Sequence, residues 1–155
     1  MIESIPRIYL DTSVFGGVFD VEFGEPSHLL FDAIRAEKFQ LVTSEVVREE
    51  ITEAPETVCN LFQEMVGNAE IVSITAEVLR LRDAYHAAGI LSTQWLEDAL
   101  HVALASCAGC DMLVSWNFKH IVHFQKIPLF NAVNTLQGFN EIRIYSPFEV
   151  IDYEH

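Results

Sequence analysis

An α/β fold built on a mainly parallel sheet of four to five strands follows from three features of the chain. Short β-branched and aliphatic runs alternate with longer segments of helical spacing. The first run, Ile8-Tyr9-Leu10, shows no polar alternation, which is the pattern of a strand covered on both faces. No repeat or low-complexity linker divides the 155 residues, a length that suits one domain over 1–155 with a substantial core.

Each element carries its own local signal. After Asp11, residues 13–20 read as a short helix interrupted by Gly16-Gly17. Residues 22–25 are a polar connection, and Pro26 suits the first turn of a helix running on to Lys38. Phe39 to Thr43 is the second strand, and Ser44 is placed to cap an acidic helix over 45–53. Ala54-Pro55 breaks that helix; the next runs to Val66, with Gly67 at the usual glycine stop. Residues 69–74 form the third strand, and Thr75 caps a helix that ends at Gly89 with Val78, Leu81 and Tyr85 inward. An alanine-rich helix spans Trp95 to Cys107, followed by a strand over 112–115. Residues 128–137 are helical, and 142–145 form a last strand before Pro147.

Composition narrows the functional classes. There are 23 acidic and 9 basic side chains, a formal charge of −14, which excludes a broad basic face for non-specific nucleic-acid binding. The surplus favours cationic partners, a divalent metal or a basic peptide. A bound metal would also reverse the local field for a nucleic-acid substrate. No apolar run is long enough to span a bilayer, and Met1-Ile2-Glu3 lacks the basic start of a signal peptide, so a cytoplasmic protein without membrane attachment is expected. Three cysteines fit a reducing compartment.

Four positions lie where strand ends and helix starts gather. Asp11 ends the first strand, and its type and place suit a metal ligand, a covalent nucleophile or a helix cap. Glu49 and Glu50 follow the second strand and read equally as a solvated face. Asp98 sits among Leu96, Ala99, Leu100, Val102 and Ala103, where a carboxylate without a partner is costly. Asn117 follows the fourth strand and also suits a turn. Converging carboxylates repel one another unless a hard cation such as Mg²⁺ or Mn²⁺ holds them, and such sites hydrolyse phosphodiesters.

Leu10-Asp11-Thr12-Ser13, Ser44 to Ile51, Asp98 to Ala105 and Leu113-Val114-Ser115-Trp116-Asn117 together resemble PIN-domain ribonucleases, most closely the VapC-type toxins of toxin–antitoxin pairs. The resemblance implies a three-layer α/β/α fold and Mg²⁺- or Mn²⁺-dependent endoribonuclease activity. It also implies inhibition by a partner antitoxin, here expected to be basic, and a homodimer. Asp11, Glu50 and Asp98 match the family's three most regular acidic positions and become the expected metal ligands and catalytic residues. Glu50 is preferred to Glu49 because it directly precedes the apolar Ile51. Asn117 stands where the family commonly has a fourth acid and joins the catalytic set without adding charge. Thr12, Ser13, Ser115 and Lys119 are the expected substrate contacts.

Other features carry less. Cys107 and Cys110 lie at a helix end, where the dipole raises a thiol pKa, and they read as core or turn thiols. His120 and His123 lack zinc-site spacing and read as surface or packing residues. His101, one turn past Asp98, is either its partner or a core histidine. Trp116, Phe118 and Lys119 suit either base stacking and phosphate contact or simple packing. Two other functions are open at this level. A haloacid-dehalogenase-like phosphatase would use Asp11 as nucleophile, but Ser13 occupies the place of its second Asp. A PIN-like module that binds RNA or protein without cleavage is the third.

Overall fold

The computed structural model of the chain describes residues 5–153; Met1-Ile2-Glu3 lies outside them. Five strands, β1 (Arg7–Leu10), β2 (Gln40–Ser44), β3 (Glu70–Val72), β4 (Met112–Val114) and β5 (Arg143–Tyr145), form one parallel sheet in the order β3-β2-β1-β4-β5. Helices α1 (Thr12–Gly17) and α2 (Gly24–Arg35) connect β1 to β2, and α3 (Glu45–Ile51) and α4 (Glu56–Val66) connect β2 to β3. A 3₁₀ turn over Thr93–Trp95 separates α5 (Ala76–Ala87) from α6 (Leu96–Cys107) before β4; α7 (Ile127–Leu136) precedes β5, and α8 (Pro147–Tyr153) follows it.

The chain starts in the middle of its sheet, builds outward through β2 and β3, then returns to the other side of β1. That reversal lies between β1 and β4, the place where open α/β sheets form a crevice beyond the carboxyl ends of their strands. Register sets what lines it. Leu10 pairs with Val114, so the residues that follow, Asp11 and Ser115, leave the sheet side by side.

Burial explains the strand sequences. Ile8, Tyr9, Leu10, Leu113 and Val114 are fully covered, as expected for central parallel strands. Helix α6 is buried from Ala99 to Ser106, and its alanines let it lie close to its neighbours α5 and β4. Across the sheet, Phe15 of α1 meets Phe31 of α2 and Phe62 of α4, each with ring centroids 5.3 Å apart.

Several boundaries depart from the sequence expectation, each for a local reason. Helix α2 ends at Arg35 rather than Lys38, because Glu37 takes a left-handed conformation (φ 61°) with no glycine to announce it. Gly67 stays right-handed (φ −56°) at the end of α4, while Gly89 and Gly109 do take the left-handed form after α5 and α6. Pro147 opens a helix. Ser146-Pro147-Phe148-Glu149 has the residue spacing of a capping box with proline at its first helical position, but here the Ser146 hydroxyl donates to Glu149 Oε1 at 3.3 Å and the Glu149 amide bonds the Ser146 carbonyl at 3.1 Å.

Gly17 fixes how the site's entrance packs. A methyl group there would come within 2.6 Å of Trp116 Nε1 and 2.9 Å of Ser27 Oγ, the two ends of a buried hydrogen bond of 2.9 Å. Trp116 in turn stacks on Phe23 at 4.1 Å. Gly17→Ala is expected to destabilise the fold by about 1–3 kcal/mol through overpacking. Gly16→Ala, with open space around it, is expected to be neutral or mildly stabilising. Equal denaturation midpoints for the two variants would show that Trp116 has room to move.

Candidate functional site

The crevice at the end of β1 and β4 holds a buried carboxylate. Asp11 is 4% exposed and occupies the N-cap position of α1, yet its side chain caps no backbone amide. Its two oxygens are taken by serines instead: Ser13 Oγ donates to Oδ1 and Ser115 Oγ to Oδ2, both at 2.6 Å. Each serine also accepts an amide of the loop after β4, Ser13 from Trp116 N and Ser115 from Asn117 N, both at 2.9 Å. Asp11 is thereby tied to that loop on both sides. Burial raises its pKa, and the nearby His101 charge and the two serine hydroxyls only partly offset that cost.

Glu50 stands beside it, half-buried on α3, whereas Glu49 faces solvent. The helix is aimed by its cap, Ser44 Oγ accepting the Val47 amide at 3.2 Å. Glu50 Oε1 accepts from Thr12 Oγ1 at 2.7 Å and from His101 Nε2 at 2.8 Å. Burial pushes the Glu50 carboxyl upward, but the bond to His101, the His101 charge and the Thr12 hydroxyl outweigh it, leaving the pKa below the ordinary range. Glu97, unremarked in the sequence, lies near Glu50; burial first, then the Glu50 charge, raise its pKa. His101 is buried, which disfavours its charge, yet the Glu50 bond and the charges of Asp11, Glu50 and Glu97 leave it raised.

Asp98 is held differently. Its Oδ2 accepts from His120 Nδ1 at 2.8 Å, so the partner of Asp98 is His120 and not His101. His120 is 7% exposed and lies tilted against Trp95 with centroids 4.2 Å apart, which decides between the surface and packing readings in favour of packing. Asn117 seats this histidine: its Oδ1 accepts the His120 amide at 2.9 Å. The amide oxygen at 117 is thus engaged with the loop backbone. Lys119 is exposed, its Nζ 5.3 Å from the centre of the Trp95 ring. Phe118 is 44% exposed and lies edge-on to Trp116.

The structure therefore brings Asp11, Glu50 and His101 into one electrostatic unit, with Glu97 beside Glu50 and Asp98 next in chain to Glu97. The hydroxyls of Thr12, Ser13 and Ser115 bind carboxylates within the protein. Among the described residues, no three His, Cys, Asp or Glu side chains stand close enough together to enclose an ion. The donor set still fits a hard dication, because Mg²⁺ is ordinarily held by one or two carboxylates together with water and phosphate oxygens. Cys107 and Cys110 lie apart from this cluster, with burial pushing both thiols up to about 12.

Residues missed in the sequence share one signal. Tyr9 is a phenol within an otherwise aliphatic strand, and a buried phenol needs a polar partner. That partner is His101 Nδ1, 2.8 Å away.

The fold has relatives among solved structures. VapBC2 from Rickettsia felis bound to a DNA fragment from their promoter matches with a TM-score of 0.57 and 13% identity, over 90% of this chain and 98% of that one. FitAcB from Neisseria gonorrhoeae matches with a TM-score of 0.58 and 13% identity, over 91% and 98%. FitAB bound to the IR36 DNA fragment matches with a TM-score of 0.59 and 12% identity, over 91% and 95%. No family model matches the sequence, and no curated protein matches it. No helix among the described residues is long and apolar enough to cross a membrane.

The paired shifts set a pH dependence for the metal-free protein. Glu50 is lowered from 4.5, so its contribution to stability is complete above that value and lost as pH falls through its folded pKa. His101 is raised from 6.5, so its contribution is complete below that value and lost as pH rises through its folded pKa. Asp11, also raised, loses stability in the same alkaline direction. Asp11 and Glu97, raised from 3.8 and 4.5, begin that loss from those values upward, so thermal melts in metal-free buffer should decline as pH rises through the folded pKa of His101. His101→Gln should flatten part of that decline; parallel native and variant profiles would remove His101 from the linkage.

With five parallel strands flanked by helices, and similarity that covers most of both chains, this chain has the PIN-like fold of these VapBC and FitAB structures.

Proposed function

We propose that this chain is a Mg²⁺- or Mn²⁺-dependent endoribonuclease acting on single-stranded or loop RNA as the toxin of a toxin–antitoxin pair. The observation that carries the proposal is the Asp11 carboxylate, buried at the switch point of the sheet and gripped by two serines beside Glu50. A capping role would use the α1 amides, and Asp11 uses none. The solved relatives are toxin–antitoxin complexes, which supports a protein partner for this chain as well.

Asp11, Glu50 and Asp98 would hold the cation. When bound, it supplies positive charge for the phosphate and leaving oxygen and activates water for attack. The chain's own residues prepare that chemistry. Ser13 and Ser115 keep both Asp11 oxygens fixed in the crevice, and Thr12 and His101 fix one Glu50 oxygen. His120 holds Asp98 at the crevice rim. Exposed Lys119 is placed to meet a phosphate, and the exposed part of Phe118 to stack an unpaired base. The formal charge of −14 leaves no broad basic face for RNA, which makes binding depend on Lys119 and the cation, and suits a basic antitoxin segment. We assign the chain a homodimeric state and a cytoplasmic location on the same reading.

Incubation of a mixed RNA pool with purified protein, with and without Mn²⁺ and followed by end mapping, tests the proposal. Cleavage at discrete unpaired sites should require the metal. Asp11→Asn should lower the rate by about a hundredfold or more, since a metal contributes several kcal/mol of charge stabilisation. Equal cleavage without metal, or an Asp11→Asn variant as active as the native chain, would contradict it.

A further inference from the structure

A buried polar relay reaches Glu50 from inside the protein. Ser44 Oγ, already accepting the Val47 amide, lies 2.8 Å from the Tyr9 hydroxyl; that hydroxyl lies 2.8 Å from His101 Nδ1; and His101 Nε2 lies 2.8 Å from Glu50 Oε1. Tyr9 and Ser44 are completely covered, and His101 is 4% exposed. The relay is satisfied in both charge states of the imidazole. When Nδ1 is bare, Ser44 donates to Tyr9 and Tyr9 to His101; when Nδ1 carries a proton, it donates to Tyr9 and Tyr9 donates to Ser44. In both, Nε2–H donates to Glu50.

A hydroxyl, a phenol and an imidazole in a core cost stability that apolar side chains of similar volume would not. What they provide is a single fixed pose for a half-buried glutamate, whose side chain otherwise keeps several rotamers. Thr12 reaches the same oxygen from the other side at 2.7 Å.

We propose that His101, seated by Tyr9, is a positioning residue that fixes the Glu50 carboxylate for divalent-cation binding. The fixed pose belongs to the metal-free protein; its consequence for cation binding rests on the function proposed above.

Native protein, His101→Gln, His101→Leu and Tyr9→Phe are compared in metal-free crystal structures and by calorimetric Mn²⁺ titration without RNA. Glutamine keeps an N–H toward Glu50, and leucine removes it. Glu50 should hold its place in His101→Gln and leave it, or occupy several rotamers, in His101→Leu. Mn²⁺ affinity should fall about tenfold in His101→Leu and stay within about threefold in His101→Gln, with Tyr9→Phe between them. Should His101→Leu fail to fold, Tyr9→Phe, which removes one buried oxygen, carries the comparison. Glu50 unmoved in the variant lacking the donor overturns the positioning role, whatever the metal does. Unchanged Mn²⁺ affinity with Glu50 displaced overturns the link to the cation. If the native protein takes up no Mn²⁺, the metal-dependent function fails, while the Glu50 coordinates still decide the positioning.

Discussion

A carboxylate sealed at the end of the central strand, with a serine hydroxyl 2.6 Å from each oxygen, sets the terms for the rest of this structure. Asp11 is removed from water, and a buried charge persists only where hydrogen bonds and counter-charge compensate it. The compensation comes from three directions. Ser13 is the second residue of α1, Ser115 follows the end of the neighbouring strand, and the charge of His101 acts from α6. Because both serines also accept amides of the loop after β4, fixing Asp11 fixes that loop. Asn117 then seats His120, and His120 holds Asp98. A chain of short hydrogen bonds thus connects one strand end to a carboxylate on another element.

Glu50 is reached by a second arm through the core, which shares His101 with the first. The two arms differ in burial and in chemistry. Hydroxyls surround Asp11, whereas an imidazole and a threonine hold Glu50, and Glu97 sits beside it. Their protons are held unequally: burial and the Glu50 charge make Glu97 keep its own more firmly, while the His101 bond and charge make Glu50 give its up more readily. The resulting unit has a deficit of positive charge at its centre, which is the property expected of a site for a hard cation.

The sheet was legible because its signals are local. Continuous apolar runs marked β1 and β4, and the caps of α3 and α5 stood in the sequence as Ser44 and Thr75, each accepting the amide three residues on at 3.2 Å. Motif order was equally legible and located the carboxylates. What stayed hidden depended on distant contacts. Asp98 and His120 are 22 residues apart, and nothing nearby in sequence links them. His101 lies one turn from Asp98, so spacing suggested a pair, but the buried Tyr9 phenol and the Glu50 carboxylate compete for the ring and win. Two local features were also misread. Pro147, read only as following the last strand, starts a helix, and Glu37 ends one without glycine.

The central claim is that Asp11, Glu50 and Asp98 form a divalent-cation site. Anomalous diffraction from a crystal soaked in Mn²⁺ measures this directly, because the metal's own signal locates it without reference to activity. The account requires a peak in the crevice beyond β1 and β4, within about 2.0–2.3 Å of an Asp11 or Glu50 oxygen. A fully occupied peak elsewhere on the acidic surface, with the crevice empty at saturating metal, would contradict it.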